Sequence, residues 1–226
     1  MSYSIRFCKK EEHDKLVGFI KTDWNVDHIF VKNPEILKWQ HLQDDQYNFV
    51  VANHDLTDKF HAVLGIVSAS FFAEGKLKQG DDLWLAIWKV NKDLAEDKSI
   101  GTELLEFVKS TLSPRTVSAI GINSQVAMLY RLMGFQVEHL FQSFILNANM
   151  KEFNIANIEK KHLNESRENS VTQIASTSIQ FEEISSKDLL DYSSVARQQL
   201  PRKTIEYVIG RYVNHPKYSY NYHAIV

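Results

Sequence analysis

Residues 83–112 read LWLAIWKV, NKDLAEDKSIG and TELLEFVKSTL, and this stretch decides the fold. Leu83 to Val90 is nearly all apolar, which suits a strand buried on both faces. Leu104, Leu105, Val108 and Leu112 recur at helical spacing and mark one buried helix face. Between them, a polar turn ends in Ser99-Ile100-Gly101. Strand, small-residue turn and helix N-terminus together make an anion-binding geometry. Unpaired backbone N–H groups and the positive end of the helix dipole converge there.

Upstream of this unit, Ile5–Cys8 reads as a first strand and Glu11–Trp24 as a helix. Asn33 suits the N-cap of a second helix, with Pro34 as its first residue. Asn48–Ala52 and Ala62–Phe72 read as an antiparallel hairpin. Downstream, Ser113-Pro114 ends the central helix and Val117–Ile122 forms a short strand. Asn123 or Ser124 caps a helix running to Met133, with Val126, Leu129, Leu132 and Met133 on its buried side. Gly134 is placed as its C′ residue. Phe135–Leu146 is apolar enough for one bent strand or two.

The composition turns polar from Asn147 to Thr177, which reads as a linker. Ser178–Val226 regains pattern in the order strand, helix, helix, strand. One offset lays Ile5-Arg6-Phe7 on Ile179-Gln180-Phe181 and Phe49-Val50-Val51 on His223-Ala224-Ile225. Either the tail is a partial second copy of the chain's start, or common elements agree by coincidence. The apolar end, Ala224-Ile225-Val226, fits a strand cut short. The expected division is a domain over 1–146, a linker over 147–177 and an incomplete β-α-α-β unit over 178–226.

The 226 residues are 44% hydrophobic with a formal net charge of −2, so a sizeable core forms without a basic footprint for nucleic acid. One cysteine, Cys8, excludes an internal disulfide and a Cys-based zinc site and fits a reducing, cytoplasmic setting. The charged N-terminus lacks the apolar region of a signal peptide, and no apolar run is long enough to span a bilayer. Histidine spacing suggests no metal site, and no P-loop occurs.

Two motifs carry a family resemblance over residues 4–146. Glu96-Asp97-Lys98-Ser99-Ile100-Gly101 stands where the GNAT superfamily of acetyl-CoA-dependent acetyltransferases carries Gln/Arg-x-x-Gly-x-Gly/Ala. Asn123, Leu129, Tyr130, Gly134 and Phe135 match that family's Asn-x-x-Ala-x-x-Leu-Tyr-x-x-x-Gly-Phe, with Ala127 one place late. The chain thus resembles a GNAT enzyme, which implies an α/β (α+β) fold: a central mixed, mostly antiparallel sheet flanked by helices. The narrower similarity is to enzymes that acetylate amino sugars for surface polysaccharides. Glu96 and Asp97 depart from the pattern and would each cost an anion about 1 kcal/mol when exposed and screened.

The resemblance implies acetyl transfer from acetyl-CoA, as co-substrate, to a small-molecule amine. The narrower acceptor class is an amino sugar or sugar nucleotide, attacked directly without a covalent enzyme intermediate. It places pantetheine between the strands Leu85–Val90 and Val117–Ile122. The backbone of Trp88, Lys89 and Val90 would pair with it, and Lys98, Ser99, Ile100, Gly101 and Thr102 would hold the pyrophosphate. Asn123 is a pantetheine contact or a helix cap. Tyr130 is the candidate acid for the CoA thiolate, and Asp82 or His28 the candidate base. A non-catalytic CoA-binding or scaffold module and a GNAT-fold aminoacyl-transferase are the competing readings. Oligomeric state is not legible.

Overall fold

A computed structural model of the chain describes residues 3–91, 93–95, 99–140, 181–192 and 201–225. The chain divides into two compact units, Met1–Gly121 with Glu183–His223, and Ile122–Glu182 with Ala224–Val226.

In the first unit, β1 (Tyr3–Lys9) leads into α1 (His13–Phe19), which closes in a π-helical turn at Ile20–Trp24. Two short helices, α2 (Ile29–Lys32) and α3 (Pro34–His41), precede β2 (Leu42–Gln43), β3 (Gln46–His54) and β4 (Lys59–Ser68). Helix α4 (Ala69–Glu74) precedes β5 (Asp82–Val90), α5 (Ile100–Leu112) and β6 (Thr116–Ala119). The sheet order is β1-β3-β4-β5-β6, with β2 paired to β3. All pairs are antiparallel except β5 with β6.

Both faces of the sheet are covered. Leu16, Phe19 and Ile20 pack with Ile36 and Leu37 against Phe49, Val51, Val63 and Ile87. Strand alternation turns Val50 and Ala52 to the other face, where they are equally buried. Helix α5 covers β3 and β4, with Ile100, Leu104, Leu105, Val108 and Leu112 buried. Each such leucine stabilises the fold by about 1.5–3 kcal/mol.

Several expectations are corrected. Pro34 does open α3, but the Asn33 side chain makes no capping bond. The strand expected to reach Phe72 stops at Ser68, whose side chain caps α4 by accepting from the N–H of Phe71 at 3.2 Å. Gly75, at φ 78°, then ends α4. Strand β5 is not buried on both faces: Leu83, Leu85 and Ile87 are buried, Trp84 and Trp88 are half-buried and Ala86 is exposed. The expected strand Val117–Ile122 closes early at Ala119, before Gly121 at φ 76°.

The tail does not stand apart as a third region. Its α7 (Ile205–Val208), extended by a π-helical turn at Ile209–Val213, belongs to the first compact unit. Tyr207 is buried with Val67, Ala69, Phe71 and Phe72. A tail that contributes to the same core cannot form a separate boundary. Phe181–Ile184 (β7) pairs with Tyr222–Ile225 (β8) in a two-stranded sheet, so a strand-helix-strand order is present. The linker 147–177, residues 141–146 of the region 135–146 and tail residues 178–180 and 193–200 lie outside the described residues.

In the second unit, α6 (Ser124–Leu132) is capped as expected: Asn123 Oδ1 accepts from the N–H of Val126 at 2.9 Å. Its buried side is not the expected one. Tyr130 is buried, whereas Leu129 and Leu132 are exposed, because the burial centres one residue past Leu129. Residues 135–140 form no strand. Among the described residues, no helix is long and apolar enough to cross a membrane.

Candidate functional site

The site begins with a mismatch in strand register. Leu64 pairs with Trp88 and Ile66 with Leu85, so Ala86 and Ile87 on β5 oppose the single residue Gly65 on β4. This is a β-bulge, which bends a strand and re-aims the residues beyond it. Gly65 is required there, since a Cβ would lie 2.6 Å from the Phe49 ring. On its other edge, β5 pairs with β6 only from Asp82–Thr116 to Leu85–Ala119. The bulge and the end of parallel pairing thus fall at the same point. Beyond Leu85–Ala119, β6 no longer pairs with β5.

Helix α5 is fastened to this end of β5. The Trp88 indole donates to the Gly101 carbonyl at 3.1 Å. A Cβ on Gly101 would stand 3.0 Å from Val90 Cγ2, so the helix approaches β5 closely through glycine. Ser99 sits at φ −81°, so its backbone is unstrained. The first-turn N–H groups of a helix lack acceptors within the helix, and here that turn meets the Trp88 and Val90 side chains. Trp88, Lys89, Val90, Ser99, Ile100, Gly101 and Thr102 are therefore brought together. Lys98, with Glu96 and Asp97, lies outside the described residues.

The hydroxyls in this turn are engaged locally. Ser99 Oγ donates to Glu103 Oε1 at 2.5 Å, and Thr102 Oγ1 donates to the Ser99 carbonyl at 2.7 Å. Glu103 is an acidic first-turn residue, favourable to the helix dipole and in competition with any incoming anion. Sequence reasoning missed it, although a carboxylate four residues past Ser99 was visible.

The loop between α1 and α2 is tied to the same end of β5. Asn91, just past Val90, donates to Asp23, and its backbone N–H donates to the His61 carbonyl at 2.9 Å. Sequence spacing held no signal for this contact, since 68 residues separate Asp23 from Asn91.

Neither expected base is suited to the role. Asp82 has no exposed surface. Its oxygens accept from Arg115 Nε at 3.0 Å and Nη2 at 2.5 Å, Thr116 Oγ1 at 2.7 Å and the Arg202 N–H at 2.7 Å. Burial alone would raise its pKa, but the Arg115, Arg202 and Thr116 hydrogen bonds outweigh it and lower the pKa below the usual carboxylate value. It is held ionised and its lone pairs are spent. His28 Nδ1 accepts the Phe30 N–H at 3.2 Å and caps α2. Burial lowers its pKa, so the ring is neutral with its proton on Nε2 and has no lone pair left for a substrate proton.

In the second unit, the motif residues build a helix end. The Phe135 N–H donates to the Tyr130 carbonyl at 3.0 Å and the Gly134 N–H to the Arg131 carbonyl at 3.0 Å, with Gly134 at φ 84°. This is a Schellman cap. The Tyr130 and Phe135 rings meet edge to face at 4.9 Å. Capping accounts for Asn123, Gly134 and Phe135 in the motif. Burial pushes the Tyr130 hydroxyl up to about 12, so it is protonated at neutral pH and able to donate.

No family model matches this sequence, and no curated protein matches it. Solved structures with related chain traces include a putative acetyltransferase from Pyrococcus horikoshii, at 19% identity and a TM-score of 0.42. That alignment covers 60% of this chain but only 44% of the other. The aminoglycoside 6'-N-acetyltransferase AAC(6')-Ih from Acinetobacter baumannii aligns over 65% of this chain and 99% of its own, at 16% identity and a TM-score of 0.46. Glucosamine-6-phosphate N-acetyltransferase from Arabidopsis thaliana aligns over 65% and 100%, at 15% identity and a TM-score of 0.42. Identities and scores at this level assign neither a reaction nor a ligand to this chain.

Proposed function

We propose that the chain is an N-acetyltransferase that uses acetyl-CoA as co-substrate. The supporting observation is the coincidence of the bulge opposite Gly65, the end of β5–β6 pairing at Leu85–Ala119 and the α5 N-terminus fastened at Trp88. An extended amide chain such as pantetheine pairs where two strands part, and its pyrophosphate needs a helix N-terminus nearby. The motif at Asn123, Leu129, Tyr130, Gly134 and Phe135 supports the same reading.

In this reading the first-turn N–H groups of α5 hold the pyrophosphate. A backbone N–H of Trp88–Val90 stabilises the oxyanion as the amine nitrogen bonds to the thioester carbon. The C–S bond then breaks and the leaving thiolate takes a proton, a role that the family resemblance gives to the Tyr130 hydroxyl. With Asp82 and His28 committed elsewhere, the amine proton leaves through water. The acceptor is a small-molecule amine, and the sequence resemblance favours an amino sugar or sugar nucleotide.

Thermal unfolding with acetyl-CoA tests this directly. At a hundredfold excess over Kd the ligand adds about 2.7 kcal/mol, a rise of roughly 5–10 °C for a unit of this size. No shift at millimolar acetyl-CoA removes the proposal. Given binding, Tyr130→Phe lowers turnover while leaving acetyl-CoA affinity nearly unchanged. An unaltered rate takes Tyr130 out of its role.

A further inference from the structure

A pocket lies at the end of β5 opposite the proposed acetyl-CoA slot, and we infer that it binds an amino-acid zwitterion. It has a volume of about 330 Å³, at the lower end of the range for small-molecule sites. Asp81, on its wall, precedes the bulged Ala86 by five residues, or roughly 16 Å of strand. The pocket is therefore separate from the proposed acetyl-CoA slot, and the inference does not rest on that reading.

Its polar groups are pre-oriented by one buried carboxylate. Asp82 receives the Arg115 guanidinium as a two-pronged fork, at 3.0 and 2.5 Å, and the backbone N–H of Arg202 at 2.7 Å. Two arginines far apart in sequence are thus brought to the same pocket wall. The fork fixes the Arg115 plane and leaves Nη1 without an acceptor among the described residues. The Arg202 side chain makes no hydrogen bond or ion pair among the described residues, since only its backbone serves Asp82. Held this way, Arg115 keeps its Nη1 donors for a carboxylate, and the Arg202 guanidinium, which Asp82 does not hold, supplies a second cation.

The pocket is not a simple anion site. Lys78, Arg115 and Arg202 line it with Glu74, Asp81 and Glu206, and Arg115 is also paired with Asp82. Lys78 is already paired with Glu74. Asp81 Oδ2 is taken by Ser68 Oγ and by the Ser70 N–H at 2.8 Å, while Oδ1 keeps its lone pairs for a donor. A lone anion would face these carboxylates at a cost, and a lone amine would face the arginines. A small molecule carrying both a carboxylate and an ammonium satisfies both. Ala69 and Ala73 line the pocket from α4 without filling it.

The test uses the full chain without acetyl-CoA. Its thermal midpoint is measured with each of the twenty L-α-amino acids, and with the N-acetyl and decarboxylated counterpart of each. The expected result is a saturable rise with at least one amino acid, about 3–6 °C at tenfold excess over Kd, and none with its two counterparts. Arg202→Gln keeps the backbone N–H, so the unliganded midpoint stays within about 1 °C of the parent while affinity falls at least tenfold. Three results would each overturn the inference: no rise with any amino acid, an equal rise with the N-acetyl form, or undiminished binding in Arg202→Gln.

Discussion

Asp82 and Arg202 are 120 residues apart in the chain, yet the Arg202 backbone N–H donates to Asp82 Oδ2 at 2.7 Å. With the Arg115 fork and the Thr116 hydroxyl, this bond fastens the tail to the starts of β5 and β6. Asp82 is a buried clasp, and removing its charge takes the acceptor from the exposed Arg115 fork and from the Arg202 backbone donor.

Asp82→Asn should therefore lower stability by about 1–3 kcal/mol. Denaturant titration measures this, and limited proteolysis should show earlier cleavage within the tail. If Asp82 were instead a catalytic base, stability would hold and the acid limb of the pH–rate profile would vanish.

Trp88 is placed to set the position of the α5 N-terminus through its bond to the Gly101 carbonyl. Trp88→Phe keeps an aromatic ring but loses that bond, at a net cost of about 1 kcal/mol. The KM for acetyl-CoA should rise about fivefold or more while kcat changes by less than twofold. A fall in kcat alone would place Trp88 at the chemical step instead.

His41 couples stability to pH. It is fully buried between Phe30 and Phe49, with Nδ1 donating to the Ile66 carbonyl at 3.2 Å and Nε2 within 3.0 Å of Gln40. Burial pushes its pKa down from 6.5 to about 3. A depressed folded value means the unfolded chain takes up a proton first. The stabilisation is complete above pH 6.5 and is lost as pH falls toward 3, by about 1.4 kcal/mol per pH unit. Denaturation midpoints across pH 4–7 measure the slope, and His41→Gln should reduce the proton uptake on unfolding by about one.

Gly210 sets how closely α7 approaches α4. A Cβ there would lie 1.8 Å from the Phe72 carbonyl oxygen, a backbone atom that cannot swing aside. Gly210→Ala should cost about 2–3 kcal/mol. Its signature is an earlier thermal midpoint with faster tail proteolysis, and a neutral result would mean the tail packs otherwise.

Cys8 has no exposed surface, and its burial raises the thiol pKa to about 12. The thiolate is the reactive form. The native chain should consume a disulfide reagent at least a hundredfold more slowly than the unfolded chain. Rapid native labelling would show that β1 opens readily.

Much of the scaffold was legible because it follows from local rules. Leu104, Leu105, Val108 and Leu112 share a buried face of α5, as their spacing requires. Pro34, Asn123 and Gly134 mark helix ends for reasons of backbone geometry. The candidate site was legible in part. The turn residues from Ser99 to Thr102 do meet the end of β5, but the basicity of Asp82 and His28 could not be read from residue type. It depends on Arg115, Arg202 and Phe30, whose donors reach them only in the folded chain.

The stretch 83–112 by itself determined a strand, a turn and a helix, since apolar period and turn composition act over a few residues. Tertiary structure alone decided where β5 bulges, because Gly65 and the Phe49 ring set that register from neighbouring strands. It also decided that the tail joins the first unit. Patterning shows that a helix such as α7 has an apolar side, but not which surface covers it. Here Tyr207 packs with Phe71 and Phe72, and the Arg202 N–H reaches a carboxylate that sequence distance had hidden.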